Sequence, residues 1–301
     1  MTGLLISVIT PTYNRAGTLR DTFGSLCDQH VPLEWIVVDD GSTDDTARLI
    51  GDLAAGSPFP VYYLRQDHTG AWAAMNRGVA AARGEMTALL GSDDMLMPHA
   101  LERLTARWAA IGDQARYAGV TGLCVDEAGR AVGDRFPADI VDATWQEMHY
   151  RYRPGGEKWG FLRTDTLRDH PFPAGQGFEA VVWRSIGRRY RTRYVNDVFR
   201  VYRTSGAGHL SQVPFALCAD SAASYYADML NKDTRWLRHA PAAFLKGAAL
   251  YTRGKLHQRV PVHAHTTGLH SWPARTLWAV ALPLGWLLYR RDLRHGAAAR
   301  H

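Results

Sequence analysis

The sequence predicts an α/β fold: a doubly wound, mostly parallel sheet with mixed strands in its second half, followed by a helical C-terminal extension. Over residues 1–112, short apolar runs rich in β-branched residues alternate with segments of helical period, as in parallel sheets covered by helices. Over residues 113–215 the alternation weakens, and residues 216–301 return to helical patterns. We therefore expect one domain over 1–215, in two halves, and a separate basic extension.

The first β-α-β unit is the clearest. "LLISVIT" (4–10) and "EWIVVDD" (34–40) are apolar runs typical of buried parallel strands. Between them, Leu19, Phe23 and Leu26 are spaced by four and three residues, which is the period of an amphipathic helix.

The pattern then repeats. "GSTDDTARLIGDLAA" predicts a helix capped by Ser42 or Thr43, "VYYLRQ" a strand, and "GAWAAMNRGVAAARG" (70–84) an Ala-rich helix. "EMTALLG" predicts the next strand, and Pro98 suits the start of the helix that follows. "VTGLCVD" and "RYVNDVFRVY" predict the mixed strands, and "PFALCADSAASYYADMLNKD" the first helix of the extension.

Composition narrows the class of protein. The chain has 301 residues, of which 46% are hydrophobic, enough for a sizeable core. Its three cysteines are far apart and form neither a zinc pattern nor a disulfide framework, which suits a reducing compartment. The first residues lack the basic and apolar regions of a signal peptide. We expect the protein in the cytoplasm, free or peripheral on the inner face of the membrane.

The positive charge is concentrated in the tail. Of the net charge of +6, residues 231–301 contribute +10, so residues 1–230 carry −4. Residues 277–289, "LWAVALPLGWLLY", are apolar but shorter than the roughly 20 residues of a membrane span. The sequence favours an interfacial helix within residues 274–301 on an anionic membrane surface. The alternative is a helix packed on the rest of the protein. No pattern indicates a nucleic-acid partner.

Polar groups follow three of the predicted strands. "TPTYN" comes after the first, Asp39 and Asp40 end the second, and Asp93 and Asp94 follow the fourth. One acidic pair alone is often a solvated turn. Carboxyl ends of parallel strands share one edge of the sheet, however, so these groups can line a single cleft. Adjacent carboxylates that hold Mg2+ or Mn2+ together with substrate phosphates would explain the repeated charges.

These segments resemble a known family. "ISVITPTYNRAGTLRDTFGSLCDQ", "EWIVVDDGSTDDT", "GAWAAMNRGVAAARGE" and "LLGSDDMLMP" are together similar to the nucleotide-binding half of the inverting family 2 glycosyltransferases, which have the GT-A fold. The order and spacing match over roughly the first 110 residues, and the combination is far more specific than any one piece.

The resemblance implies a site for a nucleotide-diphosphate sugar. Pro11, Thr12 and Tyr13 match the segment against the base, Asp40 the acid that hydrogen-bonds the base, and Asp93 the acid near the ribose. Asp94 matches the ligand of Mn2+ or Mg2+. The resemblance also implies donor-binding positions for three further residues, which are Arg15, Gly70 and Asn76.

The second half supplies candidates for catalysis and acceptor binding. Glu179 matches the family's catalytic base, although Phe178 replaces one member of the usual acidic pair; the alternative is a helix N-terminal acid. His209 matches a second metal ligand, with His68 as a weaker alternative. Trp159 is a candidate acceptor platform or a core residue.

The leading hypothesis is an inverting, metal-dependent glycosyltransferase. It would move a single sugar from a nucleotide-diphosphate sugar to a hydroxyl acceptor, such as a lipid-linked saccharide or a polysaccharide. The Q-x-x-R-W motif of the family's processive synthases is absent from the sequence. The alternative is a non-catalytic nucleotide-sugar-binding or membrane-peripheral scaffold of the same fold. A nucleotidyltransferase is disfavoured because "PTYNRAG" stands where a "GxGTR"-like loop is expected.

Overall fold

The computed structural model describes residues 3–173, 179–204 and 215–298 of the chain. These residues form two compact units. The first contains residues 3–173 and 182–204, and the second contains residues 179–181 and 215–298.

The first unit is built on one mixed sheet. Its described strands are β1 (Ile6–Thr12), β2 (Leu33–Asp39), β3 (Val61–Arg65), β4 (Met86–Leu89), β5 (Met95–Leu96), β6 (Tyr117–Val125), β7 (Ile140–Ala143), β8 (Lys158–Arg163) and β9 (Arg191–Val201). Their order is β3-β2-β1-β4-β8-β6-β9-β5, and β7 pairs with β9. The predicted fold class is confirmed.

Strand direction determines which chain ends meet. β1 lies between β2 and β4 and is parallel to both, while β3 is parallel to β2. β8 is antiparallel to β4 and to β6, so the mixed part of the sheet begins there. The carboxyl ends of β1, β2 and β4 therefore share one edge, as the sequence predicts.

The helices follow the predicted order. They are α1 (Ala16–Cys27), α2 (Thr46–Ala55), α3 (Ala71–Ala81), α4 (Ala100–Ala109), α5 (Thr164–Asp169), α6 (Ala180–Gly187), α7 (Ala219–Lys232), α8 (Pro241–His257) and α9 (Trp272–Ala298). The predicted caps of α2 are wrong, because this helix begins after Asp45 and the Ser42 hydroxyl instead accepts a hydrogen bond from the backbone N–H of Asn14.

The sheet buries apolar side chains on both faces. Val8 and Trp35 belong to one core cluster, and Ile9 and Ile36, one residue further on, belong to the other. All seven residues of β2 are buried, which explains the nearly continuous apolar run in the sequence. In α3, a Cβ at Gly78 would lie 2.3 Å from Cγ2 of Ile9, so this glycine lets the helix approach β1 closely.

In the second unit, α9 packs along α8 through small residues. Ala274 and Ala281 are buried, and a Cβ at Gly285 would lie 2.6 Å from the carbonyl oxygen of Ala249. Both guanidinium contacts of Arg253 to the Asp292 carboxylate measure 2.6 Å. Within the described ranges, no helix is both long enough and apolar enough to cross a membrane.

Candidate functional site

The Asp93–Asp94 pair lies in a tight turn after β4. The backbone N–H of Asp94 donates to the carbonyl of Gly91 at 3.2 Å. A Cβ at Gly91 would lie 2.8 Å from Oδ2 of Asp94 and 3.1 Å from Oδ1 of Asp93. Both carboxylates therefore fold back towards Gly91, an arrangement that any larger residue there would obstruct.

Asp94 is buried, and it contacts the guanidinium group of Arg200 and the backbone of Arg203. Its Oδ2 lies 3.1 Å from Nη1 of Arg200, which is also buried, and its Oδ1 accepts the backbone N–H of Arg203 at 3.2 Å. Nη2 of Arg200 continues to Oε2 of Glu157 at 3.0 Å. Arg200 thus bridges a buried carboxylate and a half-exposed one.

The charge on Asp94 depends on these neighbours. Burial raises the pKa of Asp94, the positive charge of Arg200 opposes this, and the negative charges of Asp93 and Glu157 add to it, so the pKa remains above its usual range. A second cation beside the pair would favour the ionised carboxylate, since opposite charge lowers a carboxyl pKa.

Asp40 organises the loop after β3. Its carboxylate accepts the backbone N–H groups of Thr69 and Gly70, both at 2.9 Å, and the amide of Gln66 at 2.8 Å. Nδ1 of His68 lies 2.9 Å from its Oδ2. Burial raises the pKa of Asp40, but the hydrogen bonds from Thr69, Gln66 and Gly70 outweigh burial and lower it overall. Gly70 has φ +98, a conformation that favours glycine.

An aromatic surface lies beside this loop. The Tyr13 side chain is 44% exposed, and its ring centroid is 4.3 Å from that of His68. Asn14, in the left-handed region at φ +52, accepts the backbone N–H of Thr43 at 2.8 Å. The segment after β1 is therefore fixed against the segment after β2, and its tyrosine remains available to a flat ligand.

The N-terminus of α1 contacts both the turn after β2, which contains Asp44, and the turn after β4, which contains Asp93 and Asp94. The backbone N–H of Ala16 donates to Asp44 at 3.2 Å, and the Thr18 hydroxyl donates to the carbonyl of Ser92 at 2.8 Å. Pro11 and Thr12, at the end of β1, and Arg15, just before α1, lie in the same stretch. The structure thus brings most of the sequence-predicted donor residues to one edge of the first unit.

Two predicted site residues make contacts within the fold. The side-chain amide of Asn76 bonds both backbone groups of Phe172, at 2.8 and 2.9 Å. The Trp159 side chain is 5% exposed, belongs to a core cluster and donates from Nε1 to the carbonyl of Leu89 at 2.6 Å. Its burial favours the alternative that Trp159 is a core residue.

The catalytic and second metal candidates do not belong to the described part of the first unit. Glu179 is exposed, directly precedes α6 and falls in the second unit. His209 lies outside the described residues. Both assignments stay predictions.

Sequence reasoning missed Arg200, Arg203 and Glu157. Arg200 had a detectable signal, because a charged residue in the middle of the strand-like run "VFRVY" is buried only when it is paired. Nothing local indicated that its partner is Asp94, 106 positions away.

Solved structures resemble this chain over almost its whole length. S. aureus TarS 1-349, crystallised with UDP-GlcNAc, has a TM-score of 0.62 at 17% identity and covers 96% of this chain and 92% of its own. The mannosyltransferase PcManGT from Pyrobaculum calidifontis, solved with GDP-Man and Mn2+, has a TM-score of 0.57 at 19% identity, covering 97% and 86%. At such identities the similarity supports the GT-A fold alone.

Sequence comparison identifies the family. An uncharacterized glycosyltransferase of Nostoc sp., alr2836, is 40% identical over 98% of this chain and 93% of its own length. The GalNAc(5)-diNAcBac-PP-undecaprenol beta-1,3-glucosyltransferase of Campylobacter jejuni is 28% identical over 66% of this chain and 64% of its own. The sequence pattern of glycosyl transferase family 2 matches residues 7–168. The chain therefore belongs to glycosyl transferase family 2 and is a glycosyltransferase with the GT-A fold.

Proposed function

We propose that the protein transfers a single sugar from a nucleotide-diphosphate sugar to a hydroxyl acceptor, with inversion and with a divalent metal. The observation that carries this proposal is the Asp93–Asp94 pair, whose carboxylates converge over Gly91 at the edge where β1, β2 and β4 end. Two structural relatives were solved in complex with UDP-GlcNAc and with GDP-Man and Mn2+, which agrees with this substrate class.

The nucleoside would bind at the Tyr13–His68 side of the edge. The exposed ring of Tyr13 offers a stacking surface, and the loop held by Asp40 offers backbone groups at a fixed position. Asp93 has a partly exposed carboxylate that can accept a hydrogen bond from a ribose hydroxyl. Arg15, just before α1 in the same segment, is our candidate for binding a phosphate.

The donor atoms at the acidic turn fit Mn2+ or Mg2+. Both ions prefer oxygen ligands and are commonly held by one or two carboxylates together with substrate phosphates. Asp94, with Asp93 beside it, would hold the ion, and His209 is the remaining sequence candidate. When bound, the ion would neutralise negative charge that develops on the diphosphate leaving group. Arg200 holds Asp94 in position through the contact at 3.1 Å.

The chemical step needs a base. The acceptor oxygen attacks the anomeric carbon, the bond from that carbon to the diphosphate breaks, and the acceptor proton goes to a carboxylate. Glu179 is our candidate for this carboxylate. Attack opposite the leaving group inverts the anomeric configuration.

The acceptor would lie at a membrane surface. One relative is named as acting on an undecaprenol-linked saccharide, and α9 exposes an apolar surface beside a basic end. The exposed large apolar residues are Trp272, Val280, Leu284, Trp286, Leu287 and Leu293, and the basic ones are Arg290, Arg291 and Arg294. This combination suits a helix lying on anionic lipid, with a lipid-linked saccharide as the acceptor.

The metal role is tested by nucleoside diphosphate release from a panel of nucleotide sugars. We expect release to require Mn2+ or Mg2+, to stop with EDTA and to fall at least roughly 100-fold in Asp94→Ala, because the diphosphate charge is no longer neutralised. Asp94→Asn keeps the side-chain volume beside Arg200 and guards against loss of folding. Asp113→Ala, at an exposed aspartate, is the matched control. Release that persists in EDTA and in both Asp94 variants would remove the metal from the proposal.

The base is tested separately with Glu179→Gln. We expect sugar transfer to fall by roughly 100-fold or more while donor binding is retained, because the amide cannot take the acceptor proton. The control is Glu85→Gln, which changes an exposed glutamate of the first unit. Full transfer in Glu179→Gln would exclude this residue as the base. Donor binding without release in the wild type would favour the non-catalytic scaffold.

A further inference from the structure

A second cluster of metal-type ligands lies outside the donor site. His30 follows α1, His99 immediately precedes α4, and Glu102 is in the first turn of α4. Each offers one ligand atom, and these atoms lie within 4.8 Å of one another. Nδ1 of His99 is 2.8 Å from Oε1 of Glu102, and the two imidazole centroids are 5.2 Å apart. It is the one group of three such side chains found among the described residues.

Only one of the two carboxylate oxygens of Glu102 has hydrogen-bond partners among the described residues. The Glu102 side chain is 24% exposed, and its Oε1 accepts the backbone N–H of His30 at 3.0 Å as well as the contact from His99. Its Oε2 is buried and has no hydrogen-bond partner among the described residues. A buried carboxylate oxygen normally has a hydrogen-bond partner or a bound cation, and a cation at this cluster would supply the partner that Oε2 lacks.

The backbone of His99 has a strained conformation. His99 has φ +55, in the left-handed region that non-glycine residues seldom occupy. In this conformation the His99 imidazole contacts Glu102 and lies next to the ring of His30, with both rings exposed to solvent. Such strain is commonly retained where a ligand is held.

We propose that His30, His99 and Glu102 form a binding site for a divalent transition-metal ion, with Zn2+ as the best match. Two imidazole nitrogens and one carboxylate oxygen are a usual zinc donor set, with a fourth position left for water. Mg2+ and Ca2+ fit poorly, because they prefer oxygen ligands throughout.

The site would complete an existing connection between α1 and the chain that follows the donor-site turn. The Thr22 hydroxyl donates to the carbonyl of Asp94 at 2.8 Å, and Ser25 Oγ accepts the backbone N–H of Leu96 at 2.9 Å. The Gln29 amide then donates to the carbonyl of Met97 at 3.1 Å. The metal ligands come next in both segments. A bound ion would therefore fix the far end of the strand that begins at the acidic turn.

The test is Zn2+ titration by calorimetry, using the full chain without a histidine tag and stripped of metal by chelation. We expect one Zn2+ per chain at this site, with affinity at least roughly tenfold weaker in His30→Ala and in His99→Ala, because even loss of outer partners costs that much. His263→Ala, at an exposed histidine in the second unit, should bind as the wild type does. Co2+ should give a visible spectrum of low-symmetry four-coordinate type that both ligand variants lose.

A second experiment distinguishes Zn2+ binding at this cluster from Zn2+ binding at the donor site. Asp94→Asn should keep Zn2+ affinity, and Zn2+ should raise the unfolding temperature of the wild type but not of the two ligand variants. Since both histidines are exposed, their replacement leaves the core intact, and circular dichroism of the metal-free variants verifies this. Zn2+ affinity unchanged in both histidine variants, or abolished by Asp94→Asn alone, would overturn the proposal.

Discussion

Asp40 illustrates how one carboxylate can organise a loop beside the candidate site. Both of its oxygens accept hydrogen bonds from the 66–70 loop, and its side chain is almost fully buried. Asp40 lies directly after β2, and the resemblance to family 2 glycosyltransferases relates it to base binding. In the structure the same acid holds the loop that borders Tyr13, so any effect on base binding acts at least partly through that loop.

We predict that Asp40→Asn destabilises the protein in a pH-dependent way. Replacing one acceptor oxygen by an N–H donor leaves a partly buried backbone N–H of the loop without its partner, which costs about 1 kcal/mol of unfolding free energy. The folded-state pKa of Asp40 is lowered, so its stabilisation is fully present above the ordinary aspartate pKa of about 3.9 and is lost as pH falls through the folded-state value.

Urea denaturation at several pH values measures this effect. The difference in unfolding free energy between wild type and Asp40→Asn should be constant near neutral pH and shrink below about pH 4. Asp52→Asn, at an exposed position in α2, should show little difference at any pH. A difference that persists unchanged at the lowest pH would mean that the ionised carboxylate is not what stabilises the loop.

The Asp93–Asp94 pair shows which features of the candidate site the sequence predicts and which it does not. Asp93 and Asp94 stand next to an apolar run, so their place at the edge of the sheet follows from local pattern alone. The pairing of Asp94 with Arg200 joins residues 106 positions apart and depends on β5 pairing with β9. Such contacts arise from strand order, which the sequence pattern of either segment does not specify.

At the scale of elements, periodicity was most informative where one face of a segment is buried. α1 buries Leu19 and Leu26 and contacts the core with Phe23, as its spacing predicts. The start of α2 was misjudged because a tertiary hydrogen bond, from Asn14 to Ser42, took the side chain that would otherwise cap the helix. Local preference was overridden by packing between the segments after β1 and β2.

The tail shows that a proline and a glycine can lie within a continuous helix. α9 runs unbroken from Trp272 to Ala298 through Pro283 and Gly285. Pro283 lies on the exposed side, and Gly285 lies where the backbone of α8 comes too close for a Cβ. A glycine required by a close helix contact cannot be distinguished from a helix breaker in sequence.

At the scale of the whole molecule, the predicted site residues are not all in the first unit. The donor candidates are in the first unit, whereas Glu179 is in the second and His209 lies outside the described residues. The family pattern itself matches residues 7–168, so it too ends before both of these residues. The chemistry of the donor site is thus better supported than the identity of the base.

The second unit carries the prediction about the membrane. Trp272, Val280 and Leu287 are 78%, 66% and 57% exposed along one side of α9, whose other side is buried on α8. A truncation that removes α9 would also remove the buried Ala281 and the Arg253–Asp292 ion pair, so point variants on the exposed side are the sharper test.

We expect the full chain to float with vesicles that contain phosphatidylglycerol and to bind neutral phosphatidylcholine vesicles weakly, because each basic residue near an anionic surface adds about 1 kcal/mol. The double variant Val280→Ser with Leu287→Ser should lose binding at all salt concentrations, whereas Arg290→Gln with Arg291→Gln should lose only the salt-sensitive part. Leu217→Ser, at a residue 73% exposed outside α9, is the control. If the Val280 and Leu287 pair can be replaced without loss of binding while the fold is retained, α9 does not lie on the membrane.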